Sequence, residues 1–321
     1  MLLAVKLPQF SKACKNTRNI RTFLTGVKLR EVRKWPIQHR RLGHNLAEVP
    51  DWNKVAADYD IITPFTKLFS FQCIDMLQIP DVLTDESVLD IASGTGSFAL
   101  AVAEETKSAP HGCILATDFN SSMVDILRMK SSRELSSEKQ SWISCQVMDG
   151  QSLEVPSNSV SHLACVFGIM FFPDRIQGLK EMHRVLKPGA AAAVAVWKSV
   201  NLPHIVEHVA LLAGRAAPEQ LPLPFTRTVL SCADEGALAR DLVSAGFDER
   251  RIAVRTLARD HVLSTEELVR TLSVNPSCAA LGVGPEDIRR HVASHPDADG
   301  PGRFVVRGTA HIALARKAPH L

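Results

Sequence analysis

Two glycines and three carboxylates fall at the spacing of a site for a nucleoside-bearing ligand. The stretch Val88-Leu89-Asp90-Ile91-Ala92-Ser93-Gly94-Thr95-Gly96-Ser97 reads as a buried strand running into a glycine loop and then a helix. Glycine lacks a Cβ and lets the backbone approach a ligand closely, and the helix start behind it offers unpaired N–H groups. Taken alone, Gly94-Thr95-Gly96 is weak, because a plain tight turn uses the same residues. Asp118 strengthens it: about 20 residues on, at the end of the next strand, a carboxylate can accept both hydroxyls of a ribose. Gly94-x-Gly96-x-x-Ala99 also meets the loose dinucleotide fingerprint, so an NAD-dependent oxidoreductase using the same loop is the alternative reading. Asp90, at the mouth of the first strand, and Asp149, after the third, weigh against it, since two further anions suit a cationic ligand better than a pyrophosphate.

Downstream, Phe171, Phe172 and Trp197 follow the fourth and fifth strands, at the carboxyl edge where open α/β sheets bind ligands. They are candidates for the pocket of an apolar or aromatic substrate. His204-Ile205-Val206-Glu207-His208 spells H-x-x-E-H, a helical motif of some zinc peptidases. Its position behind the fifth strand of a nucleotide-type sheet argues against a protease, and no metal is expected. His204 is retained as a candidate general base for a hydroxyl substrate. The seven cysteines are scattered, with no C-x-x-C pair, and Cys165 falls inside a buried strand.

The elements that must position these residues alternate between apolar strand-like runs and helical patterns, the signature of an α/β fold with a mainly parallel sheet. Strands are expected near Ser87 to Ser93, Cys113 to Phe119, Ile143 to Met148, Ser159 to Phe167, Ala190 to Trp197, Arg251 to Leu257 and Phe304 to Ala315. Helices are expected around Ser97 to Glu105, Ser121 to Lys130, Asp174 to Leu186, Pro203 to Ala213, Asp234 to Ala245, Thr265 to Leu272 and Pro285 to His295. Lys187-Pro188-Gly189 reads as the stop of the third of these. The proline-rich run from Ala217 to Phe225 reads as a loop or lid, and residues 200–300 as cap elements over the substrate.

Charge divides the chain. Residues 1–47 hold eleven basic groups against Glu31 alone, a balance of +10, and leave a body near −7. Basic residues interleaved with Leu2, Leu3, Val5, Leu7 and Phe10 match a mitochondrial presequence and place the protein in the matrix, with the cytoplasm as the alternative. An acidic body argues against nucleic acid as the partner. No apolar run is long enough for a transmembrane helix. The rest of the chain is expected to form one domain over 48–318, as a monomer or homodimer.

Five motifs in order carry a resemblance. They are the glycine-loop stretch above, Thr117-Asp118-Phe119-Asn120-Ser121-Ser122-Met123, Met148-Asp149-Gly150-Gln151-Ser152-Leu153, Phe167-Gly168-Ile169-Met170-Phe171-Phe172-Pro173-Asp174, and Leu179-Lys180-Glu181-Met182-His183-Arg184-Val185-Leu186-Lys187-Pro188-Gly189. Residues 50–200 resemble the class I S-adenosylmethionine-dependent methyltransferases, in particular the group related to the ubiquinone and menaquinone biosynthesis enzymes. The resemblance implies a Rossmann-like, seven-stranded fold and S-adenosylmethionine as cofactor. It implies that the loop of Ala92, Ser93, Gly94 and Gly96 holds the methionine part, with Asp90 beneath. It further implies that Asp118 binds the ribose, that Phe119 and Met123 pack on the adenine, and that Asp149 with Gly150 reads its amino group. Phe167 follows the fourth strand of the donor site, and Tyr59 belongs to a helix that closes over the donor. Departures are visible too: Ala92 replaces the first motif glycine, and Ile61-Ile62-Thr63-Pro64-Phe65 stands where the quinone enzymes carry Asn-Asp-x-Met-Ser. Val196-Trp197-Lys198-Ser199 replaces their Glu-x-Ser. The expected activity is methyl transfer to a small, apolar or aromatic molecule, without assignment to the quinone reaction.

Overall fold

The computed structural model describes residues 52–300 and 302–319, and the basic leader of residues 1–47 lies outside them. Seven strands form one sheet in the order β3-β2-β1-β4-β5-β7-β6. They are β1 (Ser87–Ile91), β2 (Cys113–Asp118), β3 (Ile143–Val147), β4 (Val160–Val166), β5 (Leu186–Val200), β6 (Ile252–Ser264) and β7 (Arg303–Arg316). The first five are parallel, and β7 runs antiparallel to both β5 and β6. Strand order reverses at β1, which pairs with β2 on one side and β4 on the other. A crevice opens at such a reversal, beyond the carboxyl ends of the strands.

The local sequence explains these elements. Every residue of β1 and β2 is buried, as a near-continuous apolar run requires when both sheet faces are covered. Asn120 caps the helix α4 (Ser121–Glu134) by accepting the Met123 N–H, and Asp174 caps α5 (Arg175–Val185) by accepting the Gln177 N–H. Two helices precede the sheet, α1 (Trp52–Tyr59) and α2 (Thr63–Leu77), and α3 (Ala99–Glu105) follows the glycine loop. After β5 come α6 (Asn201–Leu212), α7 (Pro224–Val229), α8 (Glu235–Ser244), α9 (Thr265–Ser273), α10 (Pro276–Leu281) and α11 (Pro285–Val292). Among the described residues no helix is long and apolar enough to cross a membrane.

Two expectations change. The helix α5 stops at Val185, just before Lys187-Pro188-Gly189 as expected, but no loop intervenes: β5 already begins at Leu186, paired with Val160. The ladder resumes only at Ala191 opposite His162, so residues 187–190 form a bulge, with Gly189 at φ +80°. The proline-rich run is not merely a surface loop either. Pro224 sits in the first turn of α7, where its missing N–H costs nothing, and Leu223 and Val229 enter the core.

Candidate active site

The glycine loop is fixed by its own backbone and by two carboxyl groups beneath it. Ser93 N–H donates to the Thr117 carbonyl at 2.9 Å and Gly96 N–H to the Ser93 carbonyl at 2.9 Å. Gly96 has φ +98°, and a Cβ there would overlap Leu127 Cδ1, so no larger residue fits. Asp118 accepts the Gly94 N–H through Oδ2 and the Asn120 N–H through Oδ1, both at 2.9 Å. Burial pushes its carboxyl up further than these two donors pull it down. Asp90 lies beneath the loop as expected and accepts the Ala99 N–H at the start of α3, at 3.0 Å. Burial holds its carboxyl well above the usual range despite that bond, and the nearby Asp118 adds to the rise.

The sign of the Asp90 shift makes a prediction. A carboxyl raised in the folded state contributes its full stability below the unfolded pKa of 3.8 and loses it as pH climbs through the raised value. Near neutrality the fold therefore bears a cost at this carboxyl that it does not bear in acid. Asp90→Asn keeps an oxygen for the Ala99 N–H, and its expected result at pH 7 is a gain of about 1 kcal/mol, or ~2–4 °C in melting temperature. The gain should vanish below about pH 4. Thermal denaturation across pH checks it, and a variant less stable than wild type at pH 7 would refute the assignment.

A clamp from α1 and the residues just after it closes over this loop. Tyr59 Cε1 lies 3.8 Å from where a Gly94 Cβ would be, so the ring stands directly above the loop. Thr95 Oγ1 donates to Asp60 Oδ1 at 3.0 Å, and Thr63 and Thr95 share a hydroxyl contact at 2.8 Å. Lys130 Nζ donates to the same Asp60 oxygen at 2.6 Å. Burial alone would raise the Asp60 carboxyl, but the Lys130 bond and charge, with Thr95 and Thr63, outweigh it and hold it low. Asn53 Oδ1 accepts from Asn120 Nδ2 and Ser122 Oγ, both at 3.0 Å.

At the donor side the remaining candidates separate. Phe119 is 53% exposed at the rim, whereas Met123 is buried within the core. Asp149 is exposed and accepts the Gln151 N–H at 2.9 Å. Ser93 Oγ is buried without a hydrogen-bond partner, and a Cβ on Gly94 would meet only the Tyr59 ring, at 3.8 Å. An orphaned buried hydroxyl beside a glycine backbone is what a polar donor molecule would complete, so the residues fit S-adenosylmethionine.

Tyr59 also borders a second space. A cleft of about 830 Å³, counting its open mouth, is lined by Trp52, Tyr59, Phe65, Phe167, Phe171, Trp197 and Phe225, with Val, Leu and Ile side chains between them. Phe167 stacks on Trp197 with ring centres 3.7 Å apart and planes 5° apart, and adopts φ +59°. Such a backbone is uncommon for a bulky residue and is held here by the stack. Phe171 and Trp197 thus line the pocket as expected. Phe172 does not: its ring turns the other way and fills the space beside Gly150 and Gly178, where a Cβ on either would lie 2.5 Å from it. His204 does not line the pocket either. Its neighbours Leu202 and Pro203 do, while the His204 ring, half exposed, sits 3.0 Å from Glu207 Oε2.

Sequence reading missed Trp52, Asn53, Phe65 and Phe225, whereas the resemblance already singles out Tyr59-Asp60. Trp52 and Tyr59 lie seven residues apart, two turns along one face of α1, and their rings meet edge-on at 5.8 Å. That spacing was the available signal. Among the described residues no group of three or more His, Cys, Asp and Glu is arranged to hold a metal ion.

The chain is 31% identical over 175 residues to a demethylmenaquinone methyltransferase of Deinococcus radiodurans, covering 51% of this chain and 68% of that one. It is 36% identical over 107 residues to the ubiquinone/menaquinone biosynthesis C-methyltransferase UbiE of Geotalea daltonii, covering 33% of this chain and 43% of that one. Among solved structures, a putative methyltransferase from Bacillus halodurans matches with TM-score 0.48 at 17% identity, over 77% of this chain and 99% of that one. A phosphoethanolamine N-methyltransferase of Haemonchus contortus matches with TM-score 0.49 at 14% identity, over 78% and 52%. The sequence profile of the ubiE/COQ5 methyltransferase family matches residues 45–211, over half of the chain. The chain belongs to the ubiE/COQ5 methyltransferase family.

Proposed function

We propose that the protein transfers a methyl group from S-adenosylmethionine to a small, uncharged, flat or aromatic molecule held in the cleft beside the glycine loop. One observation carries this reading: Tyr59 stands over Gly94 and at the same time lines the apolar pocket, so a donor on the loop and an acceptor in the pocket would share a wall. The oxidoreductase alternative finds no support in the family match.

S-adenosylmethionine supplies an electrophilic methyl on a sulfonium, which is displaced in line. The chain's own contribution is alignment and exclusion of water. Holding nucleophile and methyl carbon at near-attack distance removes most of the entropic part of such a barrier. Buried Trp197 and half-buried Phe171 and Phe225 provide flat apolar walls that displace water from the reacting centre. None of the lining residues is Asp, Glu, His, Lys, Arg or Cys. Tyr59 is the one ionisable group there, and burial, with the Asp118 charge, pushes its phenol up to about 12. It stays protonated near neutrality and takes no proton. The acceptor must therefore arrive already nucleophilic, or lose its proton to water at the mouth.

The test is calorimetric titration with S-adenosylhomocysteine, followed by incubation of small aromatic pools with S-adenosylmethionine and mass spectrometry for methylated products. Absence of binding would remove the reading. Tyr59→Phe is expected to weaken S-adenosylhomocysteine binding less than about tenfold, with the same pH dependence between roughly pH 6 and 9 as wild type. A new pH dependence in the variant would show that the phenol titrates in that range after all.

A further inference from the structure

We propose that Glu207 is a positioning residue for the acceptor pocket: its carboxyl group ties the segment 221–229, which supplies the wall of Phe225 and Val229, to helix α6. The proposal rests on the assignment of the aromatic cleft to the acceptor. Glu207 Oε1 accepts two hydrogen bonds from that segment, from the Leu223 N–H at 2.8 Å and from Thr226 Oγ1 at 2.7 Å. Its Oε2 faces His204 Nδ1 at 3.0 Å, which fixes the rotation of the carboxyl group from the other side. Glu207, Leu223, Thr226 and Val229 are all buried. An acidic residue is rarely buried unless its oxygens are engaged, and here each is.

The consequence reaches the pocket because the two donors bracket the aromatic residue. Leu223 precedes Pro224 at the start of α7, Phe225 comes next, and Thr226 anchors the first turn. Phe225 faces Phe171 with ring centres 6.3 Å apart and planes 20° apart, and both line the cleft. The segment's own bonds, such as Arg227 N–H to the Leu223 carbonyl and Leu221 N–H to the Pro218 carbonyl, are local and hold its shape without holding its place. Glu207 supplies the attachment to the body. The H-x-x-E-H sequence is thereby accounted for: its glutamate fastens a pocket wall, and His204 keeps that glutamate turned toward it.

The substitutions separate tethering from general packing. Glu207→Leu fills the same volume but leaves the Leu223 N–H and the Thr226 hydroxyl without an acceptor. Glu207→Gln retains an oxygen for both donors and turns an amide toward His204. The probes are S-adenosylhomocysteine for the donor site and 2-naphthol, a flat uncharged aromatic, for the cleft, each titrated into the full chain. The expected result for Glu207→Leu is a loss of about tenfold or more in naphthol affinity, with S-adenosylhomocysteine affinity within about threefold of wild type. Amide hydrogen exchange should rise in residues 221–229 and not in β1 or β4. Glu207→Gln should restore both readouts to within about twofold. Should Glu207→Leu fail to fold, Thr226→Val removes one of the two bonds and should give the same split with a smaller amplitude.

Equal loss of both ligands, or unchanged naphthol affinity and exchange in a folded Glu207→Leu, overturns the tether. Wild-type protein that binds S-adenosylhomocysteine but not naphthol, with exchange in 221–229 still raised by Glu207→Leu, overturns the acceptor assignment while leaving the attachment itself in place. No binding of S-adenosylhomocysteine in wild type is the separate failure of the methyltransferase reading.

Discussion

Asp118→Ala is expected to abolish measurable donor binding and to lower stability together, because one carboxyl group serves two purposes. It holds the Gly94 and Asn120 N–H groups at 2.9 Å each, and it stands where the end of β2 meets the loop. Removing it leaves the buried Asn120 N–H without an acceptor, at a cost of about 1–3 kcal/mol, and the half-buried Gly94 N–H at a smaller one. The loop then loses the bond that fixes Gly94, the glycine beneath the Tyr59 ring. If the carboxyl also receives a ribose hydroxyl, S-adenosylhomocysteine affinity should fall by at least ~100-fold. Asp118→Asn should be intermediate in stability, since its amide keeps one acceptor oxygen but presents an NH₂ to the other backbone donor. Calorimetry and thermal denaturation read the two effects separately. Retention of affinity within threefold in a folded Asp118→Ala would mean that the loop binds its ligand without this carboxyl.

Asp118 also shows what the sequence could reveal. A strand that ends in a carboxylate behind a glycine loop is a local pattern, and local patterns determined β1 to β4, the loop and its acidic partners. The ends of β1 to β4 differ from expectation by at most two residues, as end fraying allows, whereas β5 (Leu186–Val200) and β6 (Ile252–Ser264) run beyond the expected Ala190 to Trp197 and Arg251 to Leu257. What escaped was long-range. Helix α2 carries apolar residues around most of its circumference, among them Phe65, Leu68, Phe69, Cys73, Ile74 and Met76, because it is packed on several sides. It therefore shows no single apolar stripe. Phe171 and Phe172 are adjacent in sequence and both aromatic, and only the shape of their surroundings sends one into the cleft and the other behind Gly150. Phe225 reached the pocket through Glu207, a contact between residues 16 and 19 apart that no periodicity encodes.

The second large effect is expected at Gly168, where the departure at the first motif glycine is written into the packing. Ala92 adopts φ +54°, a left-handed backbone that costs a residue with a Cβ roughly 1–2 kcal/mol. Its methyl group occupies the space a side chain on Gly168 would need: a Cβ there would overlap Ala92 Cβ and approach Cys165 Sγ to 3.1 Å. Gly168 itself has φ −100°, which any residue adopts, so the obstacle is space and not backbone strain. Gly168→Ala should therefore destabilise by about 3 kcal/mol or more, the upper end for overpacking. Between β4 and the turn that carries Phe171, the displaced backbone should also widen the pocket. Ala92→Gly alone should change stability by less than about 1 kcal/mol, because relief of the left-handed strain is offset by the greater freedom of glycine in the unfolded chain. Combined, Ala92→Gly should recover about 2 kcal/mol of the Gly168→Ala loss, leaving only the Cys165 contact to relax. Urea denaturation of the four proteins measures the coupling directly. Additive effects would show that the two residues do not compete for one space, and that the alanine at the start of the loop owes nothing to the glycine that follows β4.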